Sequence, residues 1–387
     1  METEKTTPSA DTEQTKLINE AVQKQERSDV SENRRKRRKN RRLIYALSII
    51  GVILLSLTAT VLITRAIGKS NLEKHAQEKV PELKPVVEEE EQVADTKLPD
   101  GYVKYNSKIY QFNENIMTFL CLGIDAKGTL KEKTPGKAGQ SDSLFLIVMN
   151  PDLKKVSLIN IPRDAVTLID TYDVNGQYVD SEEAQITLQF AYGDGREKSC
   201  EMTEQVVSRL FYNLPINGYA AMSMAAIGPV TDAVGGVEVE VLEDLTKLSP
   251  DLVKGETVVL HGDAAYYYVE YRNCLSDEVG TNLYRMDRQK QYLSSLFATM
   301  KSRTNENISL IPEIYQTFTD YMVTSVSLDE MSYLATTMLG YSFSTDDITT
   351  LAGEYVREGK YDMYHIDEDA LYDLMIDTFY IEKGDVR

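Results

Sequence analysis

The chain is poor in the side chains that build the commonest metal and nucleophile sites. Its three cysteines, Cys121, Cys200 and Cys274, are an odd set with no paired spacing, which gives no disulfide framework. Cys121 lies inside an apolar run, where a thiol behaves as a small hydrophobe. The three histidines, His75, His261 and His365, are scattered singly, so a Cys/His zinc spacing is absent and a Ser-His-Asp triad is not expected. Basic charge is also scarce beyond the N-terminus. Of the 42 Lys and Arg and 61 Asp and Glu, the first 65 residues hold 13 basic and 8 acidic side chains. The rest carries 29 basic against 53 acidic, a net charge of −24, which argues against a nucleic-acid surface there. An anionic ligand in that part needs a local cluster of arginines.

The N-terminal region is of a different kind. Residues 1–42 read as a disordered polar tail that ends in a basic run, eight of the nine residues Arg34–Arg42 being Lys or Arg. Leu43–Thr64 follows, 22 residues without a charge, roughly 33 Å as a helix at about 1.5 Å per residue. That length spans a bilayer core. It is too long and starts too late for a cleavable signal peptide, and no small-residue cleavage site follows it. The expectation is a transmembrane helix at 43–64 with its basic flank cytoplasmic, hence a single-pass cell-membrane protein whose acidic part lies outside. Residues 65–100, with Pro81, Pro85, Pro99 and Glu88–Glu91, read as an extracytoplasmic stalk, helical near Leu72–Val80. The folded domain is expected at 101–387.

The most informative stretch is Phe119–Asp164. Phe119–Ile124 and Leu144–Met149 are near-continuous apolar runs, the pattern of strands covered on both faces. Asp125 follows the first run and Asp142 precedes the second. Arg163-Asp164 closes a third strand just after Pro162, which cannot donate to a ladder and so ends it. If these strands are neighbours, two carboxylates and a guanidinium converge at strand ends, where open α/β sheets bind ligands. That grouping suits a divalent metal beside a phosphate. The loop Ala126–Ser141 carries Lys127, Lys131, Lys133 and Lys137, but Gly136-Lys137 is no P-loop because Ala138 replaces the required Ser or Thr. It reads as a solvated loop or as a basic flap over an anion.

Further on, Cys200–Leu214 has core-facing helical spacing. Tyr219–Ala233 is rich in Ala and Met, either core or the lining of a tunnel for an acyl or isoprenoid tail. Val237–Val241 alternates as a strand with one wet face, and Ala265–Arg272 reads as a Tyr-rich strand ending in Arg272. The spacing of Leu283–Met300 predicts a helix, with Arg285, Arg288 and Gln289 near one face of its first turns. Either that is a solvated charged face, or the arginines reinforce the anion-binding end of the helix. Helices are also expected at Asp329–Leu339 and near the C-terminus.

With these segments in hand, the chain resembles the LytR-CpsA-Psr family of Gram-positive cell-envelope proteins from about Asn115 to Met300, and more weakly to the end. The resemblance rests on LCLGID, QSDSLFLIVMN, KVSLINIPRD, AVGGVEVEV, LHGDAAYYYVEYR and RMDRQ, in that order. It implies an α/β/α sandwich around a central mixed sheet, preceded by one transmembrane helix. It also implies a phosphotransferase that moves a glycopolymer from a polyprenyl-pyrophosphate carrier to peptidoglycan. Carried over by motif, Asp125 and Asp142 would hold Mg²⁺, and Arg163, Arg272 and Arg285 would grip the pyrophosphate. Asp164, Arg288 and Gln289 would complete the substrate-binding wall. The chain departs from the family pattern at Gln140 and Glu270, where the motif has Arg, and at Asn282, where it has Asp. Those departures keep a second reading open, a non-catalytic binder of polyprenyl phosphate or glycan that acts as a sensor or scaffold.

Overall fold

The two apolar runs and the KVSLINI segment that follows them lie side by side as strands. The computed structural model describes residues 65–72, 80–83, 98–126, 128–271, 281–307, 310–319 and 321–385. The basic run, the expected span at 43–64 and Arg272 lie outside the described residues. Among the described residues no helix is long and apolar enough to cross a membrane.

In chain order, a helix at 65–72 (α1) precedes a hairpin of β1 (Tyr102–Tyr105) and β2 (Lys108–Phe112). Then come β3 (Met117–Ile124), β4 (Ser141–Asn150) and β5 (Lys155–Ile161), followed by a second hairpin, β6 (Val166–Tyr172) and β7 (Tyr178–Gln185). A 3-10 turn leads to α2 (Glu197–Leu210), β8 (Gly218–Ser223) and α3 (Ile227–Ala233). The strand pair β9 (Val237–Glu240) and β10 (Thr257–Leu260) precedes α4 (Gly262–Glu270), α5 (Thr281–Glu306) and α6 (Leu310–Thr319). The chain ends with β11 (Met322–Thr324), α7 (Leu328–Met338), β12 (Ile348–Thr350), the hairpin β13 (Gly353–Glu358) and β14 (Tyr361–Ile366), α8 (Glu368–Phe379) and β15 (Tyr380–Asp385).

The central sheet has six strands in the order β11-β8-β3-β4-β5-β12. It is mixed: β8 runs parallel to β3 and β12 parallel to β5, while β4 is antiparallel to both neighbours and β11 antiparallel to β8. Strand alternation sends Leu120, Leu122, Leu144, Leu146, Ile159 and Ile161 to one face, against Val206 and Val207 of α2 and Leu371 and Met375 of α8. Phe119, Phe145 and Leu158 face the opposite way, toward Tyr333 and Leu334 of α7 and Leu293 and Phe297 of α5. Helices on both faces explain why these strands read as unbroken apolar runs. The result is an α/β/α sandwich.

Two expectations change. The Tyr-rich segment Ala265–Arg272, expected as a strand, is largely the helix α4. Its apolar run is too short for periodicity to separate the two, and packing decides: Ala265, Tyr268 and Val269 fall at i, i+3 and i+4 and are the buried residues. Residues 65–72, expected to belong to a stalk, are docked on the domain. Leu72 is fully buried in the cluster with Tyr333 and Leu334, and its carbonyl accepts from Asn217 Nδ2 at 3.3 Å. Gly68 permits the approach, since a Cβ there would lie 2.5 Å from the Asp329 carbonyl oxygen. Val80 and Leu83 pack on the main core, and Glu82 N–H donates to Tyr212 O at 2.7 Å. Leu72→Ala should therefore cost about 2–5 kcal/mol of stability. Chemical denaturation of the 64–387 fragment measures it, and an unchanged midpoint would return α1 to the stalk.

Candidate active site

Antiparallel register sets the site. A shift in the β3–β4 pairing between Gly123 and Ile124 places Ile124 opposite Ser141, so Asp125 and Asp142 leave the sheet at the same end. β5 stops at Ile161, directly before Pro162, and pairs it with Leu144, which delivers Arg163 to that end too. There the Arg163 guanidinium donates through Nη1 to Asp142 Oδ1 and through Nη2 to Gln140 Oε1 at 2.7 Å. Its Nε lies 3.5 Å from Asp164 Oδ1. Gln140 thus supplies an acceptor for Arg163 where the family motif carries a like charge. Asp125 is exposed to solvent. Asp164 is committed to the fold: its Oδ1 accepts from Gln185 Nε2 at 3.1 Å, and the same amide donates to Asp362 O at 2.9 Å.

The helical side of the site is built by α4 and α5. Burial pushes the Glu270 carboxyl above the usual glutamate range, Arg285 opposes that rise, and the charges of Asp125 and Asp142 add to it. These mutual influences put Glu270, Arg285, Asp125 and Asp142 in one electrostatic neighbourhood. Arg285 is itself buried, at 7 % exposure.

Arg288 is not part of a substrate-facing wall. Its Nε donates to Tyr268 O at 2.7 Å and its Nη2 to Tyr271 O, and its Nη1 pairs with Glu243 Oε2. The last carbonyls of a helix lack intrahelical partners, and the Arg fork meets them here. Burial lowers the Arg288 pKa to about 10. Gln289 Nε2 reaches Val269 O at 3.3 Å, so two successive side chains of α5 hold the end of α4.

Next to the charged end lies apolar space. A cavity of about 650 Å³ is lined by Cys121, Gly123, Phe145, Met222, Leu293 and Gln289, among others. A second, of about 800 Å³, is lined by Met300, Ile314, Phe318, Met322 and Met331, and shares Cys121, Leu122 and Met222 with the first. The Met-rich stretch is divided: Met222 and Met224 line cavity, while Ala221 and Ala226 are buried core. Gly123 is bare for a reason, since a Cβ there would meet Met224 Sδ and Ser143 Cβ at 3.1 Å. Burial pushes the Cys121 thiol up to about 12, so it stays protonated.

The lysine loop is tied down away from its side chains. Lys133 N–H donates to Asp194 O and Gly136 N–H to Ala191 O, both at 2.7 Å, while Lys131, Lys133 and Lys137 are exposed. That favours the solvated loop over the flap. Among the described residues no group of three or more His, Cys, Asp or Glu gathers as a metal cluster. The Arg288 clamp and the rim residues Gly123 and Ser143 were not readable in advance, because carbonyl partners and cavity walls leave no local pattern. Truncating Arg288 to Ala should cost about 3–5 kcal/mol by stranding Glu243 and two carbonyls. Thermal and denaturant unfolding check it, and a loss below 1 kcal/mol would remove the clamp.

The LytR_cpsA_psr family model matches residues 75–377. The polyisoprenyl-teichoic acid–peptidoglycan teichoic acid transferase TagV of Bacillus subtilis is 26 % identical over 271 residues, 68 % of this chain and 63 % of TagV. TagU of Bacillus cereus is 28 % identical over 215 residues, 56 % of this chain and 62 % of TagU. The chain thus spans less than two-thirds of the length of these two relatives. The crystal structure of Bacillus subtilis TagV superposes with a TM-score of 0.53 at 24 % identity, covering 69 % of this chain and 96 % of that one. TagT bound to LI-WTA gives 0.50 at 21 %, covering 68 % and 89 %, and both likenesses establish the fold. With a family model matched from within the first hundred residues almost to the C-terminus, and the same mixed sheet beneath it, the chain belongs to the LytR_cpsA_psr family.

Proposed function

We propose that the chain is a membrane-anchored phosphotransferase that moves a glycopolymer from a polyprenyl-pyrophosphate carrier to peptidoglycan on the outer face of the cell membrane. The observation that carries this reading is the adjacency of an apolar cavity, which shares lining residues with a second, to a carboxylate and guanidinium cluster at one sheet end. An isoprenoid tail fits the apolar cavities and a diphosphate the charged cluster. The names of TagV and TagU, polyisoprenyl-teichoic acid–peptidoglycan transferases, support the same chemistry. The anchor is the uncharged Leu43–Thr64 with its basic flank.

Arg163 and Arg285 would bind the diphosphate, with Arg272 joining them by motif. A guanidinium fork suits bidentate phosphate contacts, and low-dielectric walls strengthen them. Gln289, between the cavity and the α4 terminus, would sit where lipid meets phosphate. Asp125 and Asp142 are hard oxygen donors, and Mg²⁺ takes one or two carboxylates plus phosphate oxygens and water, so the donor set fits. Held there, Mg²⁺ would neutralise the diphosphate oxygens and the charge that develops on the departing polyprenyl phosphate. Glu270 adds negative charge where a dianion must bind, so a chain with no catalytic use for that carboxylate would bind the lipid without transferring its glycan.

The test incubates the purified full-length chain in detergent with a polyprenyl-pyrophosphate oligosaccharide, Mg²⁺ and a peptidoglycan fragment, and measures released polyprenyl monophosphate. Release should depend on Mg²⁺ and stop with a chelator. Arg163→Ala should weaken binding of the lipid ten- to a hundredfold, about 1.4–2.8 kcal/mol, and Ala220→Phe should weaken it by filling the second cavity. Binding without release in the wild-type chain would establish the scaffold reading instead.

A further inference from the structure

Three carboxylates lie near the charged end of the sheet, Glu270 following Val269, which lines the first cavity together with Gly123 and Ser143, and their surroundings differ. Asp142 is engaged by the Arg163 guanidinium. Asp125 is exposed where β3 ends. Glu270, the last residue of α4, is partly buried. Among the described residues none donates a hydrogen bond to its carboxylate.

Its backbone, by contrast, is held on both sides. The carbonyls of Tyr268 and Tyr271 accept from Arg288, and that of Val269 accepts from Gln289. Glu270 is therefore a fixed residue with a carboxylate left open, which is how a proton acceptor is presented to a ligand. Arg285 stands near enough to oppose its neutralisation, and its neighbour Val269 lines the apolar cavity.

We infer that Glu270 is the general base of the transfer, taking the proton of the attacking acceptor hydroxyl; this rests on the function proposed above. In that step the acceptor oxygen forms a bond to the glycan-linked phosphorus. The bond from that phosphorus to the bridging oxygen breaks, and polyprenyl monophosphate leaves with the electron pair. The hydroxyl proton passes to the Glu270 carboxylate. Asp125 and Asp142 are less suited, because Arg163 already engages Asp142 and lone pairs that would be given to a cation would not be available to a proton.

Electrostatics supports the assignment. Burial, opposed by Arg285, raises the Glu270 pKa above the ordinary glutamate value, and a base closer to the working pH is a stronger one; the part that Asp125 and Asp142 add would be offset by a cation held between them. The C-terminal end of α4 acts in the same direction, because it carries partial negative charge. The titratable groups that face Glu270 are Arg285 from α5, Asp125 and Asp142 from the sheet end, and Tyr266 on its own helix. The Glu at this position is then a working replacement for the motif's Arg.

The experiment measures kcat and KM of the full-length chain against pH, with polyprenyl-pyrophosphate oligosaccharide, Mg²⁺ and a peptidoglycan fragment, for wild type, Glu270→Gln, Glu270→Asp and Glu270→Arg. Wild-type kcat/KM should rise with pH through the Glu270 ionisation. Glu270→Gln, which keeps shape and volume, should lower kcat by about a hundredfold or more with KM for the lipid nearly unchanged, and should lose that inflection. Glu270→Asp should retain part of the rate, and Glu270→Arg should be as slow as the Gln variant. If the Gln or Arg variant transfers as fast as wild type, Glu270 is not the base and the transferase reading stands. If wild type releases no polyprenyl monophosphate, the transferase reading falls and the base assignment falls with it.

Discussion

The antiparallel pairing of β4 with β3 on one side and β5 on the other is the constraint on which the site depends. One strand start and two strand ends meet at a single edge only because β4 runs against both neighbours. Side chains alternate across a sheet with period two, so a slip of one residue would turn every core side chain to the wrong face. Leu122, Leu144 and Ile161 lie across from one another on the face packed by α2 and α8, and that burial locks the register. The charged residues ride on this lock. None of Asp125, Asp142 or Arg163 has to be placed by its own interactions, although the Arg163–Asp142 contact then joins the ends of neighbouring strands.

The helix α5 turns the sheet edge into a pocket. It sends Arg285 toward the carboxylates, Arg288 into the end of α4, and Leu293 and Leu296 into the cavity wall. One helix therefore sets polar grip, the position of the α4 end and apolar lining together. The cost of burying Arg288 is met by carbonyls that the end of α4 leaves unpaired in any case. A charge beside an apolar cavity acts through a lower dielectric than one in water, so the few charges gathered here have more effect than their number implies.

Much of this was legible in the sequence, and the reasons differ by element. The strands of the central sheet were readable because strands covered on both faces must be apolar throughout, and Pro162 marks where β5 ends. Asp125, Asp142 and Arg163 were readable as breaks in that apolarity. The α4 segment was misread because tyrosines favour strands in general, while its helical burial pattern shows only against partners far along the chain. Arg288 was misassigned for a related reason. Spacing along a helix tells which side chains are neighbours, but the choice between a ligand and a carbonyl is made by whatever packs alongside. The docking of α1 depends on Gly68 and Leu72 meeting α7 and Asn217, more than a hundred residues away.

Among the described residues, the charged edge sets Asp125, Asp142 and Glu270 against Arg163 and Arg285, so acidic groups accompany the arginines there. Such a mixed edge on a stretch whose residues 66–387 carry a net charge of −24 does not draw a soluble anion by long-range steering. Under the proposed function it has no need to. A lipid-linked diphosphate is already confined to the membrane surface, and burial of its tail in the apolar cavities supplies attraction at about 25 cal/mol per Å² of apolar area. Binding energy then comes from the tail, and the polar edge is left to distinguish the transition state from the ground state. Under this division of labour a carboxylate at position 270 is tolerable: it weakens ground-state attraction for the diphosphate, which the tail offsets, and it stands ready when a hydroxyl must lose its proton.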